Sequence, residues 1–265
     1  MQLRPRALEV LQITDPATKA EAARALLDAA RAGELAIDVD SALAEPPGLP
    51  GRPPLPRLVA ADQVPRRSPF TLAGRAALLH AIAHIEFNAI NLALDAVWRF
   101  PGMPEKFYRD WLQVAGEEAL HFTLLREHLR TLDHDYGDFD AHNGLWAMTE
   151  STKHDIVARM ALVPRTLEAR GLDATPPIQA KLAKAGDPQA VAILDIILRD
   201  EVGHVAIGNH WYRWLCARDG LDPEALYPQL LKRHQAPRLK PPYNLAARRS
   251  AGFSEAELSW LDDPA

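Results

Sequence analysis

The sequence predicts an all-α protein, and two observations support that prediction. Apolar residues recur mostly at three- and four-residue spacing, whereas runs of alternating β-branched residues are missing. An aspartate precedes a proline at Asp15, Asp187 and Asp222, which is typical of a helix N-cap followed by proline at the first helical position. Ser254 and Glu257 have the spacing of a capping box and predict a short last helix.

Residues 1–68 are expected to form an N-terminal helix and a Pro-rich arm. The helix is predicted over residues 16–32, and Gly33 ends it. The arm contains a Pro/Gly-rich passage at residues 45–56, whose prolines exclude both a continuous helix and a central strand. The sequence leaves open whether this extended passage packs on the rest of the protein.

Residues 69–217 are expected to form four long helices. The first two are predicted over residues 71–100 and 104–132, separated by a turn at Pro101 and Gly102. The third is predicted over residues 146–170, ended by Gly171 and followed by a short helical piece at 177–185, and the fourth over residues 188–217. Residues 218–265 are expected to form a C-terminal extension with one or two further helices, broken by Pro237, Pro241 and Pro242.

The composition excludes several classes of protein. Of the 265 residues, 48% are hydrophobic and 25% charged, as in ordinary globular domains. A net charge of −5 argues against a protein that coats nucleic acid or an anionic membrane. The single cysteine, Cys216, excludes an internal disulfide framework and fits a reducing compartment. We see no signal peptide, and the most apolar stretch we identify, residues 190–198, is too short to span a bilayer, so we expect a cytoplasmic protein without a membrane partner.

Two E-x-x-H motifs lie within the predicted helices. Glu118 and His121 form one in the second helix, and Glu201 and His204 form the other in the fourth. Residues three apart on a helix share a face, with Cβ atoms about 5–6 Å apart, so each pair can bind one metal ion. Each motif alone is weak, because chance supplies about one such match in a chain of this composition.

Glu86 lies on an otherwise apolar face of the first helix, where a lone carboxylate is costly unless it is paired or bound to metal. Glu86 precedes Phe100 by 14 residues, and Glu118 follows Pro104 by 14 residues. In an antiparallel hairpin the two glutamates therefore lie at the same height, and we expect them to meet.

The third helix offers two candidates for a fourth glutamate, Glu150 and Glu168. Glu118 follows Glu86 by 32 positions and Glu201 follows Glu168 by 33, so Glu168 makes the second half of the protein repeat the first. Glu150 lies in the first turn of the predicted helix, about 27 Å from Glu168 at roughly 1.5 Å per residue. We therefore choose Glu168.

These residues form a ligand set of four glutamates and two histidines. Ferritin-like four-helix bundles hold a dinuclear iron or manganese site with such a set. Four carboxylates neutralise two divalent cations, and a site of imidazole and carboxylate suits iron or manganese better than structural zinc, which prefers thiolates. We expect two iron ions as cofactor, with manganese as the alternative. The predicted metal-binding and catalytic residues are Glu86, Glu118, His121, Glu168, Glu201 and His204.

Four stretches within residues 69–216 carry a resemblance to a known family. They include His-Ile-Glu-Phe-Asn from His84, Glu-Glu-Ala-Leu-His-Phe from Glu117, Thr-Leu-Glu-Ala-Arg-Gly from Thr166 and Arg-Asp-Glu-Val-Gly-His from Arg199. Together they resemble a bacterial ferritin-like family of unknown function, which is similar in turn to the di-iron tRNA hydroxylases. The resemblance implies a di-iron fold, and it supports Glu168 because the third helix of those hydroxylases also carries a Glu-Ala-Arg stretch. It implies no particular substrate.

Several alternatives stay open at this stage. The six residues would form a buried polar network if no metal binds, and Glu117 and Asp200 either orient the histidines or lie on a solvated face. Pro164 predicts a kink that either widens a pocket or is simply tolerated. The remaining helical histidines are interpreted as packing or surface residues, although His154 shares a predicted face with Glu168; they are His80, His84, His128, His154 and His210.

The basic segment at residues 230–250 also has two interpretations. It contains six lysines and arginines with no acidic residue between them, and either binds a phosphate-bearing partner or forms a solvated face. The solvated face is favoured; the six residues are Lys232, Arg233, Arg238, Lys240, Arg248 and Arg249.

The function expected from the sequence is that of an oxygen-activating di-iron oxidoreductase, similar to a hydroxylase. Its substrate would be a small molecule or a modified nucleotide, and hydroxylation would require an external electron donor, such as a partner protein. The alternatives are a protein that stores iron or removes peroxide, and a bundle whose metals are structural. A homodimer is left open.

Overall fold

The computed structural model describes residues 1–262, and the protein is all-helical as predicted. Within these residues there is no β-strand, only isolated bridges that pair Gln2 with Ala36 and Leu58 with Ala141. A π-helical turn, Val163–Glu168, lies between α6 and α7. The helices are α1 (Leu3–Gln12), α2 (Pro16–Arg31), α3 (Leu72–Arg99), α4 (Glu105–Thr131), α5 (Gly144–Ser151), α6 (Ile156–Leu162), α7 (Ala169–Lys184), α8 (Pro188–Asp219), α9 (Pro223–Arg233), α10 (Leu245–Ser250) and α11 (Glu255–Asp262).

The chain divides into two compact units. The first unit contains Met1–Trp146 and Leu182–Ile193, and the second contains Ala147–Lys181 and the chain from Leu194 onward. The division into residues 1–68, 69–217 and 218–265 stays a prediction from the sequence pattern.

Helices α3 and α4 form the centre of the first unit, and they lie within one residue of their predicted bounds. The hydroxyl of Thr71 caps α3 by accepting a hydrogen bond from the Gly74 backbone N–H at 3.1 Å. The short link between the two helices turns at Gly102, whose φ of 76° favours glycine. Because α3 and α4 pack along each other across this short link, they are antiparallel.

One helix, α3, is long and apolar enough to cross a membrane by length and composition alone. The expectation that no segment could span a membrane considered only residues 190–198 and overlooked this longer helix. Of the most apolar window of α3, 72% is buried inside the structure, as in the core helix of a soluble protein.

The N-terminal part of the first unit packs on the helical hairpin. Arg4 is buried in α1, a helix that the sequence interpretation missed, and its guanidinium donates hydrogen bonds to the carbonyls of Ser41 and Trp98 at 2.6 and 2.8 Å. Lys19 of α2 is also buried and donates to the Gly51 carbonyl at 2.7 Å. The Pro-rich arm is therefore fixed to the body, which settles the question that the sequence left open.

The third predicted helix is broken in the structure, so the prediction of continuous helix over residues 146–170 was wrong. Pro164 has no backbone N–H, and the hydrogen-bond pattern shifts by one residue around it, with the Ala169 N–H bonding to the Pro164 carbonyl. The predicted irregularity at Pro164 is therefore present, as a π-helical turn. The Pro164 ring packs against Gly208 of α8, where an added Cβ would lie 2.5 Å from the Pro164 Cβ.

Helix α7 continues through Gly171 and Pro176, although the sequence predicted an end at Gly171. Proline at position 176 cannot donate to the Leu172 carbonyl one turn earlier. The Asn244 side chain donates to that carbonyl instead, at 3.2 Å, so the helix continues without losing the bond.

The C-terminal part of the second unit contains α9, α10 and α11, one helix more than predicted. The capping box at α11 is confirmed, because Ser254 and Glu257 each accept a hydrogen bond from the other's backbone N–H. Arg248 is buried and bonds the Asp173 carboxylate at 2.6 and 3.0 Å, so the interpretation of this basic residue as part of a solvated face was wrong.

Candidate metal centre

The helical hairpin of the first unit brings together three of the predicted ligands. Glu86 of α3 and Glu118 and His121 of α4 place one ligand atom each within 4.8 Å of one another. Their exposed fractions are 3%, 0% and 0%. The equal distances of Glu86 and Glu118 from the turn account for this meeting.

His121 lies between the two carboxylates. Its Nδ1 atom is 3.2 Å from Glu118 Oε2 and 3.3 Å from Glu86 Oε2. Burial raises the pKa of Glu86 well above its usual range, the neighbouring Glu118 raises it further, and His121 lowers it. Two carboxylates therefore share one imidazole in a water-poor interior.

This donor set fits a metal ion. Carboxylate oxygens together with imidazole nitrogen are ligands that iron and manganese accept. The charge also fits, because one divalent cation would offset the negative charges of the Glu86 and Glu118 carboxylates. The three residues therefore suit a metal ion.

The second unit holds the other three predicted ligands, all of them buried. Glu201 and His204 lie one turn apart on α8, with His204 Nδ1 3.9 Å from Glu201 Oε2. Glu168 is the last residue of the π-helical turn. The rejected candidate, Glu150, is half-exposed and forms an ion pair with Lys153 at 2.6 Å. The choice of Glu168 stays a prediction.

The other helical histidines occupy varied environments. His80 accepts a hydrogen bond from the Gly137 backbone N–H, and His84 bonds the Tyr136 hydroxyl, both at 2.9 Å. Burial lowers the pKa of each of these two histidines to about 4, so both are neutral at pH 7. His154 lies exposed in the turn between α5 and α6, so the expectation that it shares a helix face with Glu168 was wrong.

The two acidic neighbours of the E-x-x-H motifs are half-buried. Glu117 accepts a hydrogen bond from the Gln113 amide, and Asp200 forms an ion pair with Arg199 at 2.8 Å. These contacts leave both earlier interpretations of the two residues standing.

Sequence reasoning missed three buried charged residues that the structure makes prominent. Asp187 was interpreted only as an N-cap, yet it also contacts Arg75 and His128 in the first unit. Arg165 and Arg248 are buried in the second unit. Arg165 was detectable, because it is a lone charge in an otherwise apolar stretch that begins at Met160.

Comparison with known proteins places the chain in a family. An uncharacterized protein of Haemophilus influenzae is 56% identical over 216 residues, which is 79% of this chain and 75% of that protein. No solved structure matches the chain. Residues 12–259 match the family described as "Protein of unknown function (DUF455)". The chain therefore belongs to the DUF455 family.

Proposed function

We propose that the six predicted ligands hold a dinuclear iron centre in a ferritin-like four-helix bundle, with manganese as the alternative metal. The observation that carries the proposal is the buried cluster of Glu86, Glu118 and His121. The second unit supplies a matching set of Glu168, Glu201 and His204, also buried. The proposal joins the two sets because their sequence spacings repeat, by 32 and 33 positions between glutamates.

The two E-x-x-H motifs support this proposal because each places its histidine Nδ1 near its glutamate Oε2. In each motif the histidine turns Nδ1 toward the glutamate three residues earlier, at 3.2 Å in α4 and 3.9 Å in α8. An imidazole that faces a carboxylate in this way offers a nitrogen and an oxygen to one ion.

We propose further that the protein is an oxygen-activating oxidoreductase of the hydroxylase type. Bound iron would supply the redox chemistry that activates dioxygen for the oxidation of an organic substrate. The glutamates would balance the positive charge of the ions, and His121 and His204 would bind them through imidazole nitrogen. Aromatic side chains would keep water away from the site. Phe87 and Phe122, which follow Glu86 and His121 in the sequence, have ring centroids 5.4 Å apart and are both buried.

Oxygen uptake by iron-loaded protein tests this function. With an excess of chemical reductant, we expect the loaded protein to consume dioxygen over repeated turnovers, and to form oxidised product when candidate small molecules or modified nucleosides are supplied. Glu118→Ala should abolish the uptake, whereas Glu127→Ala, the matched control at an exposed position of the same helix, should retain it.

Two results would contradict the enzymatic proposal. Uptake that ends after one oxidation of the bound iron, with continued accumulation of iron, would identify a storage protein. Uptake that is equal in Glu118→Ala and in the unaltered protein would show that the site takes no part in it.

A further inference from the structure

The second unit contains a small cavity lined by two buried arginines. Its volume is about 150 Å³, and Arg165 and Arg248 in its wall are 1% and 0% exposed. Arg165 comes from the π-helical turn and Arg248 from α10. A guanidinium retains its charge in an interior, so two of them at one cavity call for acceptors.

The protein supplies only part of those acceptors. Arg165 uses Nη2 to pair with Glu257, and Arg248 uses Nε and Nη2 to pair with Asp173. Nε and Nη1 of Arg165 and Nη1 of Arg248 have no hydrogen-bond partner among residues 1–262. Because buried N–H groups without acceptors are costly, these three nitrogens indicate a ligand with oxygen acceptors.

The rest of the wall is largely aromatic and aliphatic. The Phe253 ring contacts both guanidinium groups, with its centroid 5.1 Å from Arg165 and 5.2 Å from Arg248. Tyr227, Trp260 and Leu261 complete an apolar side of the cavity. Stacking on ring faces satisfies the planes of the guanidinium groups, but the N–H bonds lie in those planes and still require acceptors.

The ion pairs at the cavity leave its occupant to supply hydrogen-bond acceptors, and a carboxylate offers two oxygens for charge-assisted bonds. Arg165 pairs with Glu257 and Arg248 pairs with Asp173, so each buried guanidinium group has one carboxylate partner; Arg213 also pairs with Glu257 but does not line the cavity. Glu224 also lines the cavity, but it is exposed, and water screens its charge.

We propose that this cavity binds a compact aromatic carboxylate of about the size of benzoate. Its carboxylate would accept hydrogen bonds from the free nitrogens of Arg165 and Arg248, and its ring would pack against Phe253 and Trp260. A cavity of about 150 Å³ holds a single six-membered ring. Binding at this site goes beyond the proposed metal function and does not depend on it.

The cavity is connected to the predicted ligand Glu168 through the π-helical turn. Arg165 and Glu168 belong to the same turn, and Thr166 between them bonds the Tyr227 hydroxyl at 2.8 Å in the cavity wall. An occupant that contacts Arg165 and Tyr227 therefore acts directly on the segment that positions Glu168.

Titration of the metal-free, full-length protein with benzoate tests the proposal. We expect saturable binding at one site by isothermal titration calorimetry. Benzamide, which keeps the ring without the charge, and acetate, which keeps the carboxylate without the ring, should each bind at least tenfold more weakly. Equal binding of benzamide, equal binding of inorganic phosphate, or no binding of benzoate would overturn the proposal.

Paired variants locate the binding. Arg165→Lys keeps a cation for Glu257 but removes the two free nitrogens, so it should weaken the binding of benzoate at least tenfold. Arg213 also pairs with Glu257 but does not line the cavity. The benzoate affinity of Arg213→Lys should therefore stay within twofold of that of the unaltered protein.

A second pair keeps the test valid if Arg165→Lys fails to fold. Ala256 lines the cavity from an exposed position on α11, so Ala256→Trp should fill the cavity and abolish binding. Ala246→Trp, at an exposed position on α10 outside the cavity, should bind benzoate normally. Unchanged benzoate affinity in Ala256→Trp would overturn the proposal.

Discussion

In the first unit, the buried Asp187 differs from the buried pair Glu86 and Glu118 in the groups that surround its carboxylate. Asp187 lies with Oδ2 3.1 Å from Arg75 Nε and Oδ1 2.9 Å from His128 Nε2. It also caps α8 by accepting a hydrogen bond from the Ala190 backbone N–H. Glu86 and Glu118, by contrast, both place a carboxylate oxygen within 3.3 Å of His121 Nδ1.

The difference separates a structural charge from a functional one. Asp187 has a cation, Arg75, and a hydrogen-bond partner, His128, within the chain, so it stabilises the fold without a partner from outside the chain. Burial and the neighbouring Glu118 raise the pKa of Glu86, so keeping both carboxylates ionised in the interior is costly, and a bound cation would reduce that cost. The same type of substitution should therefore have opposite effects at the two places.

The largest effect is expected at Asp187. Asparagine is a good N-cap, so Asp187→Asn removes the charge and leaves the cap. Arg75, whose side chain is 18% exposed, would lose its ion-pair partner, and the free energy of unfolding should fall by about 2–3 kcal/mol, measured by urea denaturation. Asp195→Asn, at an exposed position of α8, is the control and should change it by less than about 0.5 kcal/mol. Equal effects of the two variants on the free energy of unfolding would contradict a structural role for the charge of Asp187.

A pH effect of similar size is expected from each of His80 and His84 on α3. Burial lowers their pKa values to about 4, whereas in the unfolded chain they titrate near 6.5. Between these values the unfolded state binds more protons, so stability falls as the pH falls from about 6.5 to 4, by about 2–3 kcal/mol for each histidine.

The variant His80→Gln tests this assignment, because glutamine can still accept the hydrogen bond from Gly137. Thermal unfolding followed between pH 7 and pH 4 should show a smaller loss of stability in the variant than in the unaltered protein. Identical pH profiles would mean that His80 does not titrate in this window.

The smallest effect is expected at Glu86, and its sign is opposite to that at Asp187. In the metal-free protein, Glu86→Gln removes one of two facing carboxylates and should raise the free energy of unfolding by about 1 kcal/mol at pH 7. Glu105→Gln, at an exposed position of α4, is the control for charge removal in general. A loss of stability in Glu86→Gln would show that the chain already balances this charge.

Much of the first unit could be predicted because its signals are local. The caps at Asp15 and Thr71 and the turn at Gly102 fix where helices begin and end, and the apolar pattern of α3 and α4 continues without a break. The meeting of Glu86 with Glu118 follows from two equal distances to one turn.

The second unit was predicted less well because its structure depends on residues far apart in the sequence. In helix α7, Asn244, 72 positions from Leu172, bonds the Leu172 carbonyl to which Pro176 cannot donate. The π-helical turn accommodates Pro164 against Gly208 of another helix. Arg248 is buried because Asp173 lies opposite it, although its neighbours in the sequence suggested a solvated face.

Metal stoichiometry tests the central claim most directly. The full-length protein is loaded with Fe(II) under anaerobic conditions, desalted, and measured by mass spectrometry of the metal content. We predict two iron ions per chain, less than one in Glu118→Gln, and two in the control Glu127→Gln at an exposed position of α4. Retention of less than one ion per chain by the unaltered protein, or equal stoichiometry in both variants, would contradict a metal centre at Glu86, Glu118 and His121.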